Sequence, residues 1–173
     1  MAEESMEFED RWDGSSVAIE CWGGLAMATH FGVDEVAWDG GHVPGSDGSL
    51  LVEGGLITYD AKTAFIDEAR WMPGEPQQCV GFMLGGRSPL SADYIVLGIP
   101  AGRAITTRLN SVDLGTVEIQ AGWIIPRSVT DRLFHPAFRK KDQQVGAGLN
   151  LWAPVDLLRR FKVDGIANNS EAA

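Results

Sequence analysis

The chain has 173 residues, 45% of them hydrophobic and 22% charged, which is the composition and size of one globular domain rather than several. No apolar run approaches the roughly 18 residues of a membrane helix, and the acidic start Met1-Ala2-Glu3-Glu4 is unlike a signal peptide, so a cytoplasmic protein is expected. Two cysteines are too few for a disulfide framework, and His30, His42 and His135 lack the spacing of a metal motif.

The net charge of −10 argues against tight unaided nucleic-acid binding, but the charge is unevenly spread. Residues 1–60 hold 13 acids against one arginine. Residues 127–162 hold eight basic groups against three acids. Such asymmetry points to an anionic partner at one end and a cation at the other, or to solvated faces.

Residues 1–12 read as a flexible acidic arm, 13–163 as one domain and 164–173 as a flexible tail. Ser15 to Phe31 has the apolar content of a helix with a broad buried face, although Gly23-Gly24 lowers its propensity by about 1 kcal/mol each. Val33 to Trp38 is a short strand. Ser49 to Lys62 reads as a hairpin, with two β-rich runs around Gly54-Gly55. Thr63 to Trp71 reads as a turn or two of helix, and Gln77 to Leu84 as a second short helix. Asp93 to Ile99 is a buried strand ended by Pro100, and Gly115 to Ile125 a strand ended by Pro126. Ser128 to Phe134 is a short helix. Leu149 to Ala153 is a last strand, after which Pro154 opens a helix through Phe161. The class is α/β or α+β, a central mixed sheet flanked by helices.

The hairpin carries the chemistry. With Gly54-Gly55 as the loop, Ser49 faces Asp60 and Asp47 faces Lys62. Asp47, Ser49, Asp60 and Lys62 then share one face, while Leu50, Val52, Ile57 and Tyr59 share the other and bury. Two carboxylates side by side repel unless something holds them. A hard divalent cation such as Mg²⁺ does so, needing one or two protein carboxylates plus water, and the Ala61 carbonyl adds an oxygen. Lys62 then stands where it can act on water or on a phosphate. The same residues also permit a plain ion pair between Lys62 and Asp47.

The pattern Asp47-x12-Asp60-Ala61-Lys62 resembles the PD-(D/E)xK nuclease superfamily, the fold of restriction endonucleases and archaeal Holliday-junction resolvases. The resemblance implies a restriction-endonuclease-like core and an Mg²⁺-dependent endonuclease, with Mn²⁺ as a substitute. In it Asp47, Asp60 and the Ala61 carbonyl hold the metal, and Lys62 is catalytic. Glu20, on the first helix, matches the glutamate that many members place near the metal, and the resemblance implies it as a further catalytic and metal-binding residue. Duplex or branched DNA is the implied partner, cut by a homodimer or with a partner subunit. The basic, aromatic segment with Arg132, Arg139, Lys140 and Lys141 is a candidate for holding phosphates. The alternative is a non-catalytic binding or assembly subunit of a nucleic-acid-processing complex with the same fold.

Overall fold

The computed structural model describes residues 14–38, 45–71, 74–84, 91–101, 119–136 and 149–163. Helix α1 (Gly14–Phe31) leads into the two-residue strand β1 (Ala37–Trp38), and β2 (Gly48–Val52) and β3 (Gly55–Ala69) follow. Then come β4 (Gln77–Leu84), β5 (Tyr94–Pro100), β6 (Ile119–Pro126) and α2 (Arg127–Leu133). The chain continues through β7 (Leu149–Pro154), α3 (Val155–Leu158), a 3₁₀ turn (Arg159–Phe161) and β8 (Lys162–Val163).

Six strands form a mixed sheet in the order β1-β2-β3-β5-β6-β8, in which only the β3–β5 pair is parallel. The fifteen-residue β3 outlasts this sheet. Beyond Thr63 it pairs antiparallel with β4, and β4 pairs with β7. The crossover between the parallel strands β3 and β5 therefore includes a strand, β4. Helix α1 covers one face of the main sheet, where Ile19, Trp22, Ala26 and Met27 bury against Leu50, Tyr59, Ala61, Val96 and Ile124. The other face presents Ala64, Ile95, Leu97, Trp123 and Ile125 to Val80 and Phe82 of β4, Ala153 of β7, Val129 of α2 and Leu158 of α3. Alternate residues of β3, β5 and β6 thus serve two different cores. Such strands are buried on both faces, and the sheet is flanked by helices, a general α/β architecture.

Three expectations need correction. Thr63 to Trp71 is not helical; it is the second half of β3 through Ala69. Gln77 to Leu84 is strand β4, whose Cys79, Val80 and Phe82 are all fully buried. Both stretches lack alternation, because β3 passes from one sheet to the other and β4 is covered on both sides. A continuous apolar run of this length does not distinguish strand from helix. The third correction is the hairpin register. The closing pair is Val52↔Gly55, with Glu53-Gly54 as the loop, so Ser49 faces Thr58 and not Asp60. Gly54, at φ +108°, takes the left-handed loop position. The shorter elements shift less: β1 occupies only the end of the Val33–Trp38 run, and Pro154 ends β7 directly before α3. Of the strand expected at Gly115 to Ile125, residues 115–118 lie outside the described residues.

Candidate metal centre

The site forms where β2 stops. Gly48 pairs with Tyr59, and Gly48 is the first residue of β2, so the ladder on this side of β3 ends there. The next residue out, Asp47, continues the rung pattern in another way. Its backbone N–H donates to the Tyr59 carbonyl at 2.8 Å, and its carboxylate Oδ2 accepts the Ala61 N–H at 2.7 Å. A side chain thus replaces the missing strand. The N–H and C=O of one strand residue point to the same side, so the Ala61 carbonyl is directed toward this edge too. The ladder ends at Gly48↔Tyr59, and the two Asp47 bonds hold it against the Tyr59–Ala61 stretch of β3 rather than opposite Lys62 as expected from the sequence.

Asp60 follows on β3, turned to the face opposite α1, and is buried at 6% exposure. Lys62, two residues on and so on the same face, donates from Nζ to Asp60 Oδ1 at 2.6 Å. The ion pair of this site is therefore Lys62–Asp60 rather than Lys62–Asp47. The Lys62 side chain is 30% exposed.

Glu20 reaches the site from the helix side and is also buried. Its Oε2 accepts the Trp38 indole N–H at 3.2 Å, and its backbone carbonyl accepts the Tyr59 hydroxyl at 3.3 Å. Helix α1 lies close to the strand here. A Cβ on Gly23 would sit 2.8 Å from the Ala61 Cβ, and one on Gly24 would sit 2.8 Å from the Tyr59 hydroxyl. The Gly23-Gly24 pair that weakens the helix is what lets Glu20 approach the sheet edge. On the far side, Ser91 Oγ donates to the Gly45 carbonyl at 3.2 Å, and Arg127 Nη1 donates to the Ser91 carbonyl at 2.8 Å. These bonds tether the segment that leads into Asp47.

The electrostatics centre on Asp47. Its carboxyl is pushed up to about 8, first by burial and then by the negative charges of Glu20 and Asp60. The Ala61 N–H and the Lys62 ammonium pull it the other way without winning. Glu20 also helps to raise the neighbouring Cys21 thiol to about 11, after burial. Among the described residues, no three His, Cys, Asp or Glu side chains stand together as a ready cation cage. The fold gives a reason: Glu20 comes from the helix face and Asp60 from the other, with Asp47 at the edge between them. What the edge offers is two carboxylates and a carbonyl, a donor set that suits Mg²⁺ or Mn²⁺ retaining several waters.

The structure therefore brings Asp47, Asp60, Ala61 and Lys62 together and sets Glu20 beside Asp47 with one oxygen committed to Trp38. Arg132 lies elsewhere, exposed on α2, and Arg139, Lys140 and Lys141 lie outside the described residues. Trp38 and Tyr59, which position Glu20, carry no sequence signal beyond their place in apolar runs. Comparison with protein-family models, with curated proteins and with solved structures finds no match to this chain.

Proposed function

We propose that the chain is a divalent-metal-dependent nuclease that hydrolyses phosphodiester bonds in DNA, built on the restriction-endonuclease-like scheme. The observation that carries this reading is Asp47: a buried carboxyl, fixed by the Ala61 N–H and crowded by Glu20 and Asp60, whose ionised form the fold disfavours. A cation that neutralises it relieves a real cost, and the Asp-x-Lys order of β3 sets an ammonium beside the same edge.

In this reading Asp47, Asp60 and the Ala61 carbonyl hold Mg²⁺ or Mn²⁺. When bound, the ion supplies Lewis acidity and lowers the pKa of water. The rest falls to the chain. Lys62, aimed by Asp60, donates N–H bonds to phosphate oxygens as charge builds on them. Glu20 raises the negative potential that draws the ion in, while Trp38 and Tyr59 keep its helix in place.

The test is cleavage of linear duplex, supercoiled plasmid, single strands, a four-way junction and RNA, with Mg²⁺, Mn²⁺ or EDTA, beside Asp60→Ala. Metal-dependent cutting that is lost in the variant is expected. No cutting of any substrate, by a folded protein that Mn²⁺ does not stabilise, sinks the reading. Stabilisation without cutting would leave a metal site serving a binding or assembly subunit.

A further inference from the structure

A second feature lies on the same side of the main sheet as Asp60 and Lys62. Residues 60, 62 and 64 of β3 share a face, and Ala64 belongs to the core that also takes in Val129 of α2 and Leu158 of α3. Between these two short helices opens a cleft of about 540 Å³, lined by Arg132 and Leu133 of α2 and by Asp156, Leu157, Arg159 and Arg160. Three arginines from two elements thus meet over a partly apolar floor in a chain whose net charge is −10. Arg160 sits over the Phe161 ring at 4.7 Å, which orients its guanidinium. The single acid of the lining, Asp156, pairs with Arg159 at 2.8 Å, but both side chains are 80% exposed. Such a pair contributes about 0–1 kcal/mol and yields readily to a stronger anion.

We infer that this cleft holds the phosphodiester backbone of a nucleic acid, with Arg132 and Arg160 contacting phosphates and Asp156 restraining Arg159. The arginines stand on two walls of an open cleft. That arrangement suits successive charges along a strand better than a single small anion, which a closed nest of donors would hold. The inference extends the nuclease reading by naming where the substrate's backbone rests, and it depends on that reading only for the choice of polyanion.

The test is binding rather than cutting. A fluorescein-labelled 20-base-pair duplex and its single strand are titrated with the full chain in EDTA across a salt series. Arg132→Ala and Arg160→Ala should each weaken binding several-fold for every sequence. Each should also flatten the dependence of log K on log salt by about 0.9 for duplex and about 0.7 for single strand. Asp156→Asn should tighten binding by about twofold to fivefold, a gain that damage to the fold does not produce. Arg70→Ala, an exposed change of the same charge just past the far end of β3, should leave the slope alone. No binding in EDTA, equal slopes in all four variants, or weaker binding by Asp156→Asn would overturn the assignment. Cutting with an unchanged slope in the arginine variants removes the cleft and leaves the nuclease reading standing. Cleft-dependent binding without cutting does the reverse.

Discussion

Replacing Asp47 by asparagine should make the metal-free protein more stable, and the gain should depend on pH in a defined way. In the native state the Asp47 carboxyl holds its proton up to about pH 8, whereas an unfolded aspartate gives it up near 3.9. Between these values the folded chain binds the extra proton, so stability falls as pH rises. The contribution is fully present below about pH 4, declines through neutrality and levels off above about pH 8. The slope from this group approaches 1.4 kcal/mol per pH unit at most. By pH 7 the cumulative cost has an upper limit of about 4 kcal/mol. Asparagine carries no charge to suppress and keeps an oxygen for the Ala61 N–H now held at 2.7 Å. Its new NH₂ group needs a partner, which subtracts up to about 1–3 kcal/mol. The expected net gain is therefore about 1–3 kcal/mol at pH 7 and none at pH 4. Urea unfolding followed by the fluorescence of the six tryptophans, in EDTA at several pH values, measures it directly. A variant no more stable than wild type at pH 7, or a gain that persists at pH 4, would refute the claim that charge crowding at Asp47 costs the fold stability.

Three other outcomes follow from the same geometry. Mn²⁺ at about one hundred times its dissociation constant should stabilise the wild type by about 2.7 kcal/mol, and Asp60→Ala should abolish that shift in a melting experiment; a shift that survives in the variant would place the ion elsewhere. Lys62→Gln should eliminate cutting yet retain the Mn²⁺ shift. Because Lys62 opposes the upward displacement of Asp47, its loss should also extend the decline of stability to higher pH, and an unchanged pH profile would count against their coupling. Gly23→Ala should destabilise by about 1–3 kcal/mol in chemical denaturation, although alanine favours helix by about 1 kcal/mol, because its Cβ would meet the Ala61 Cβ at 2.8 Å. A stabilised variant would show that α1 has room to move from the sheet edge.

The hairpin shows what was legible in the sequence and why. The expected pairing was out by two residues, the loop being Glu53-Gly54 instead of Gly54-Gly55. A slip of two leaves every side chain on its own face, whereas a slip of one reverses them all. Asp60 and Lys62 therefore share one face, and Leu50, Ile57 and Tyr59 the face under α1, as expected, even though no cross-strand partner is right; Asp47 lies past the end of the ladder, at the edge. The consequence was confined to the ion pair. The Asp47 carboxylate is held by the Ala61 N–H, and the lysine pairs with the carboxylate of its own strand, Asp60. The second halves of β3 and β4 were not legible for a different reason. In β3, Ala64 and Ala69 are both buried five residues apart, which breaks a period of two, while Ile66, Asp67 and Glu68 between them are exposed. The approach of Glu20 depends on Gly23-Gly24, which read only as a weak point in the helix. A tertiary contact gives those glycines their meaning, and helical periodicity does not carry it.

The same end of the sheet explains why the acids sit where they do. A strand edge leaves an N–H and a carbonyl at each alternate residue, and burying them unpaired is costly. At Ala61 the partner strand has already ended, and the Asp47 carboxylate takes the N–H. That bond fixes the carboxylate, since its own backbone N–H is simultaneously held by Tyr59 at 2.8 Å. Rotation away from Asp60 and Glu20 would release the Ala61 N–H into a buried site. Rotation of Asp47 therefore relieves the crowding only at the cost of that bond, whereas a proton or a bound cation relieves it without that cost. A fold selected for stability alone would place asparagine or serine at this rung, as either accepts the same bond without the charge. An aspartate there, close to a glutamate and a second aspartate, costs stability at neutral pH, and in the proposed nuclease that is the cost a bound cation would remove.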